Sequence, residues 1–265
     1  MPRLITLAFS HYNEKARWAL DRYGIEYREE RHMPFFCSMA VAAATRGRGG
    51  TADRASSRFS TPVLLLGDGR ALTDSTAIVA FAASNDPSFF PNDEVTSLVD
   101  HYGDRLGPYT RALAYWHVLR HPGMIEQLAD DNVGRWEARA FRMLVPFARP
   151  NLKRLLNLSE ALRDKAMTRM REELDAAAVR LKTSPYLCGA RFTAADLTFA
   201  ALLSPVLCIS RKEGFSAVLP SLDDFDEEAR AIVEETRAHP AGRFALRMFA
   251  EERRRVVPAR ARPTS

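Results

Sequence analysis

The chain of 265 residues predicts a small α/β unit followed by an all-helical domain, and three observations carry that reading. Short strand patterns fall only in the first third, at residues 4–9, 25–30 and 62–72. After "SNDPSFFPNDE", rich in Pro, Asn and Asp, the apolar spacing turns helical and stays so to about residue 252. Hydrophobic residues make up 46% of the chain and charged residues 27%, enough apolar content for a sizeable core.

Taken in order, "LITLAF" is β-branched and aromatic enough for a strand, and "EKARWALDRYG" reads as a helix that stops at Gly24. "IEYREE" alternates and predicts a second strand. The segment 32–60, with "RGRGGTADRASS", reads as a surface loop. "PVLLL" and "RAL" are strand segments joined by Gly67-Asp68-Gly69, a hairpin turn sequence that needs positive φ. Asp74 and Ser75 then stand where N-cap residues stand before the helical "TAIVAFAA". The order β-α-β, long crossover, β-β-α is that of a thioredoxin-like half-domain. The boundaries expected are 1–85 for this domain, 86–94 for the linker, 95–255 for the helical domain and 256–265 for a disordered tail.

In the second part, "VTSLVDHYGDRLGPYTRALAYWHVL" is a long helical stretch broken around Gly107-Pro108. "GRWEARAFRMLVPFARPNLKRLLNL" and the amphipathic "SEALRDKAMTRMREELDAAAVRLKTS" continue it. "FTAADLTFAALLSPVL" is nearly all apolar and should be the buried central helix, started by a Thr193/Asp196 capping box. "HPAGRFALRMFAEERRR" closes the fold, with Pro240 in the first turn of its helix.

The composition also excludes function classes. No run of about 18 apolar residues spans a membrane and no signal-peptide core follows the start, so no membrane role and a cytoplasmic compartment are expected. Cys37, Cys188 and Cys208 are odd in number and show neither C-x-x-C nor metal-ligand spacing, so neither disulfides nor a metal site are expected. The net charge of +5 is spread along helices, and its densest run, "RRRVVPARAR", lies in the tail without aromatic interleaving. A solvated tail fits that run better than a nucleic-acid arm.

The chemistry points to one corner. Ser10-His11-Tyr12-Asn13 interrupts an apolar strand just where a helix begins. A hydroxyl at a helix N-terminus sits among unpaired N–H groups and the positive end of the dipole, so it can help hold an anion such as a thiolate. Ser10 or Asn13 can equally serve as an ordinary cap. His11 reads as an exposed neighbour rather than a base.

Four stretches, in this order, resemble the glutathione transferases over roughly residues 3–252: Ser10 with "HYNEKARWAL", "STPVLLL", "LTDSTAIVAF" and "YLCGARFTAADLTFAALL". The wording of the corner and the "HPAGRFALR" ending look closest to a serine-type, bacterial-like subgroup with an extended helical domain. The resemblance implies a cytoplasmic, homodimeric, detoxifying enzyme that binds glutathione as co-substrate, without a metal, and presents its thiolate to a small hydrophobic electrophile. It implies that Ser10 activates the sulfur, that Thr61 and a cis Pro62 pair with the cysteinyl backbone, and that Asp74 and Ser75 hold the γ-glutamyl end. X-Pro statistics alone favour a trans bond at Pro62. One of the loop arginines Arg46, Arg48, Arg54 and Arg58 is a candidate for the glycine carboxylate. Tyr109, Tyr115, Trp116 and His117 are candidates for the electrophile pocket, although an aromatic run at helical spacing is usually core.

Two positions depart from the family pattern. Thr61 stands where Val is commoner, and Asn13 stands where related sequences often carry cysteine. With Ser10 and Asn13 at the corner, no thiol there can form a mixed disulfide, so conjugation or isomerisation fits and oxidoreduction does not. Cys37 remains open as a substitute. A glutathione-dependent isomerase or lyase, or a non-catalytic binding protein of this fold, are the alternatives.

Overall fold

The computed structural model describes residues 1–50, 58–121, 123–155 and 158–257. Its first part runs β1 (Arg3–Leu7), α1 (His11–Arg22), β2 (Arg28–His32), α2 (Phe36–Ala44), β3 (Val63–Leu65), β4 (Ala71–Leu72) and α3 (Ser75–Ala82). The sheet order is β2-β1-β3-β4, with β2 parallel to β1 and the other two pairings antiparallel. Leu4 lies opposite both Glu29 and Leu64, which fixes the register at the sheet centre. This is the thioredoxin-like arrangement that the order of elements predicts.

The segment read as a loop from 32 to 60 contains α2, which corrects that reading. "FCSMAVAAA" has no polar face to give a helical period, and its N-cap is Phe35 at φ 72 rather than Ser, Thr, Asp or Asn. Edge strand β2, "REERH", is charged throughout and half-buried. Its second residue, Glu29, accepts from Arg17 Nε (2.6 Å), Arg31 Nε (2.8 Å) and Thr6 Oγ1 (2.8 Å).

The second part is helical: α4 (Asp93–Arg105), α5 (Gly107–Val118), α6 (Met124–Asn132), α7 (Arg135–Leu155), α8 (Glu160–Leu181), α9 (Ala194–Leu207), α10 (Glu227–Ala238) and α11 (Pro240–Glu251). Every residue of α9 except Pro205 is buried, as its composition predicts. Its start is held by Asp196, whose carboxylate accepts from Leu187 N–H (2.8 Å), Thr193 N–H (2.8 Å) and Thr193 Oγ1 (2.9 Å). The break between α4 and α5 falls at Leu106, where Pro108 in the first turn opens a new helix. Glycine is required at 107 because a side chain there would collide with the Tyr12 phenol, itself bonded to Gly103 O at 2.9 Å.

One apolar core runs through both parts. Leu4, Trp18 and Leu64 pack in the same cluster as Phe199, Leu202 and Phe249, so α1 is the shared wall between sheet and helices. The charges of α1 are buried with it. Glu14, fully buried, accepts from Arg253 Nε (2.7 Å) and from Ser216 N–H and Oγ (3.2 Å each), with Arg17 Nη1 3.5 Å away. Arg22 bonds to Glu252 at 2.7 Å, and Trp18 Nε1 donates to Glu252 O at 3.3 Å. The last described residues thereby fasten onto the helix that begins at the Ser10 corner.

Helices α6 and α7 form a second cluster with Met33 and Phe36 at the start of α2. The outer face of α7 leaves Trp136, Met143, Leu144 and Phe147 exposed. Among the described residues, no helix is long and apolar enough to cross a membrane, and all three cysteines are free.

Candidate active site

Between Leu7 and His11 the chain leaves the sheet and enters α1 through Ser10. The Ser10 backbone is extended (φ −75°, ψ 134°) and its carbonyl accepts the N–H of Glu14 at 2.9 Å. Its hydroxyl makes no capping bond. Of the two readings of this side chain, the simple cap is therefore the one the geometry does not use. Ser10 is half-buried and lines the wall of a cleft at the N-terminal end of α1.

His11 is buried, which corrects the expectation of an exposed neighbour. Its Nε2 lies 3.0 Å from Gly107 O, and since a carbonyl only accepts, Nε2 carries the proton and donates. Burial, aided by the charge of Arg111, pushes its pKa down to about 3, so the ring is neutral. Its role is to pin the start of α5 to the corner.

The Thr61-Pro62 bond is cis. Thr61 Oγ1 accepts from the N–H of Leu7 (3.1 Å) and from Nδ2 of the fully buried Asn13 (3.2 Å). The two positions that depart from the family pattern are thus bonded to each other. Valine at 61 would leave both donors without this acceptor. Opposite, Asp74 caps α3 by accepting from Ala77 N–H (2.9 Å), and Ser75 is the first residue of that helix. Lys15 reaches in from α1 and donates to Thr76 Oγ1 at 2.7 Å. Burial lowers the pKa of its ammonium from 10.5 to about 8, against the pull of Asp74 and Asp100.

Ser10, Thr61, Pro62, Asp74 and Ser75 all line one cleft of about 810 Å³ that continues from the sheet domain into the helices. Its helical wall is the face of α5 carrying Arg111, Ala114, Tyr115 and Val118, spaced three or four apart. Tyr115 meets Phe9 edge-on at 6.4 Å. Tyr109 and Trp116, seven residues apart on another stripe of α5, do not line it. Tyr109 packs on the main core, and Trp116 lies under the guanidinium groups of Arg120 (4.9 Å) and Arg163 (5.6 Å).

None of the loop arginines Arg46, Arg48 and Arg58 lines the cleft; all three are exposed, and Arg58 Nε donates to Arg48 O at 2.9 Å. Arg54 lies outside the described residues. The Lys and Arg side chains on the cleft wall are Lys15 and Arg111, neither of which the sequence singled out. Cys37 also lines it, but burial pushes its thiol pKa up, which keeps it protonated.

Family comparison accounts for this assembly. The model of the glutathione S-transferase N-terminal domain matches residues 9–85, and that of the C-terminal domain matches residues 138–228. The chain belongs to the glutathione S-transferase superfamily. Among solved structures it resembles a glutathione S-transferase from Xanthobacter autotrophicus Py2, at 22% identity and a TM-score of 0.52, covering 91% of this chain and 95% of that one. A possible glutathione S-transferase from Rhodopseudomonas palustris matches at 15% identity and 0.54, covering 97% and 96%. A glutathione S-transferase I bound with lactoylglutathione matches at 17% identity and 0.51, covering 94% and 98%. Comparison with curated proteins gave no match. At these identities the structures establish the transferase fold, and the chemistry of this member rests on its own residues.

Proposed function

We propose that the protein is a glutathione transferase that ionises the glutathione thiol beside Ser10 and presents it to a small hydrophobic electrophile. The observation that carries this reading is Ser10, which lines the cleft at the head of α1 and whose hydroxyl makes no capping bond. A hydroxyl donating to the sulfur, in the field of the first-turn amides, stabilises the thiolate over the thiol. Lowering a thiol pKa from about 8.5 toward 6.5 is worth about 2.7 kcal/mol and makes the nucleophile the majority species at neutral pH.

The remaining residues have roles in binding. The backbone of Thr61, on the cleft wall, pairs with the cysteinyl unit of the tripeptide. Ser75 donates to the γ-glutamyl carboxylate at the start of α3, where Lys15 supplies a cation, and the second oxygen of Asp74 accepts the ammonium. Arg111 replaces the loop arginines as the cation of the helical wall. The bound lactoylglutathione of the fold neighbour supports a cleft that takes an S-substituted tripeptide in one piece. With Ser10 and Asn13 at the corner, attack on a second molecule fits better than disulfide exchange.

Calorimetry with glutathione, the ultraviolet absorbance of the bound thiolate and turnover of a chloronitrobenzene test this reading on the wild type and on Ser10→Ala. The variant is expected to bind glutathione, to lose the thiolate band at pH 7 and to turn over 10- to 100-fold more slowly, with its melting temperature within about 2 °C of wild type. An unchanged rate in Ser10→Ala would show that the sulfur is activated elsewhere.

A further inference from the structure

Beyond Tyr115 the cleft runs on between α5, the end of α9 and α10, lined there by Val206, Phe225, Ile232 and Val233. One buried polar side chain belongs to this wall. His117, 94% buried, lines the cleft, and neither of its ring nitrogens has a hydrogen-bond partner among the described residues. Leaving a buried polar group unpaired carries a desolvation cost that a substrate group would recover on binding. Burial also lowers the pKa of His117, so it presents one N–H donor and one bare nitrogen acceptor.

The groups facing the ring restrict what it takes. Asp226 and Glu228 lie on the α10 side, Asp226 3.2 Å from His121 and Glu228 bonded to Arg163 at 2.7 Å, with Arg120 also near. With Asp226 and Glu228 set against Arg120 and Arg163, no net charge selects an anion there, and a carbonyl would use the donor alone. A neutral hydroxyl can bond to either ring nitrogen, accepting from the protonated one or donating to the bare one, so it fits whichever of them reaches the substrate. Position adds a length: the ring sits ten residues along α5 from Gly107, which His11 pins to the Ser10 corner, so about 15 Å of helix separates the two ends.

We propose that the second substrate is an elongated, mainly apolar electrophile whose far end carries a neutral hydroxyl, most simply a phenol, held by His117 while its reactive carbon lies beside Ser10. The proposal rests on the transferase reading above. For an aryl enone of this kind, the glutathione sulfur bonds to the β-carbon and the C=C electron pair moves to the α-carbon, which takes a proton from water. The step needs no oxidant or reductant.

The test compares benzylidene ketones that bear a distal hydroxyl, hydrogen or methyl group, using the full chain and its His117→Leu and His117→Gln variants. Wild type is expected to favour the hydroxylated compound by tenfold or more in kcat/KM. His117→Leu should bring that ratio to within twofold of one, and His117→Gln, which keeps a donor and an acceptor, should retain a clear preference. Equal kcat/KM values for all three compounds in the wild type would overturn the proposal while leaving the transferase reading standing. Should no electrophile be turned over, the transferase reading fails, and affinities of the same compounds measured by fluorescence still decide: a hydroxyl preference that depends on His117 supports the site, and equal affinities refute it.

Discussion

Glu14→Gln is the perturbation that bears most directly on how α1 is held. Glu14 is fully buried and compensates two cations, with Arg253 Nε at 2.7 Å and Arg17 Nη1 at 3.5 Å. Its oxygens also accept both the N–H and the hydroxyl of Ser216. Glutamine keeps one acceptor and turns an NH2 toward a donor. The charge-assisted bond to Arg253 is worth about 1.5–3 kcal/mol, and a buried guanidinium left short of its counter-charge raises the total to about 3–5 kcal/mol. That is a large share of a stability that is commonly 5–15 kcal/mol. Arg253 retains Asp21 at 3.0 Å and Arg17 retains Glu29 at 2.6 Å, which keeps the loss at the lower end of that range. Urea denaturation at pH 7, following tryptophan fluorescence, measures it. Glu235→Gln, which removes the half-exposed pair with Arg171, serves as the comparison and should cost less than about 1 kcal/mol. Combining Glu14→Gln with Arg253→Met should recover part of the loss, because the uncompensated charge leaves with the arginine. A loss below 1 kcal/mol for Glu14→Gln alone would refute the idea that this cluster fastens α1.

Two further outcomes follow from the site. Lys15 is a buried base whose pKa falls from 10.5 to about 8 on folding, so between those values the unfolded chain binds the proton that the folded chain has released. Wild-type stability should therefore rise across pH 8 to 10.5, and Lys15→Met should be more stable than wild type at pH 7 by up to about 3 kcal/mol, with the gap closing over that window. Urea midpoints at three pH values check this, and a pH-independent gap would contradict it. Gly107→Ala should destabilise the fold by about 1–3 kcal/mol and weaken glutathione binding, since its methyl group displaces the bonded Tyr12 phenol at the cleft wall. Calorimetric binding and a melting curve read both effects.

Much of the architecture can be read in the residues because each element carries a local physical signal. Asp74 caps α3, the all-apolar run from Ala194 marks the buried α9, and Pro240 opens α11 where the pattern places it. Helix α2 escapes because nine residues, apolar on nearly every side and uncapped, carry no period. The corner itself is legible, since a polar tetrapeptide at a strand-to-helix junction has few other uses. What the sequence hides is which stripe of α5 turns inward. Tyr109 and Trp116 are chemically as suited to a pocket as Tyr115, and long-range contacts decide the rotation: the pinning of Gly107 by His11, the bond from Thr110 to Leu202 O and the packing of Leu113 in the core. Lys15 and Arg111 are missed because a charge on a helix ordinarily faces water. The signal available was "EKARWAL": a short helix packed by sheet on one side and by α9 on the other has no solvent face for Glu14, Lys15 and Arg17. The link from Asn13 to Thr61 joins residues 48 apart in the chain, and no local pattern encodes it.

The charged edge strand β2 has a consequence for the molecule at high concentration. A sheet border with free backbone donors and acceptors invites a strand from another molecule, and an apolar border would make that pairing pleasant for both. Here an incoming strand would have to displace Glu29 from Arg17 and Arg31, or Glu30 from Arg3, before it could dock. The opposite border, β4, offers only Ala71 and Leu72. Both margins of the sheet are thus poor templates for cross-β growth, and aggregation after heating is expected to start from unfolded chains rather than from stacked native sheets.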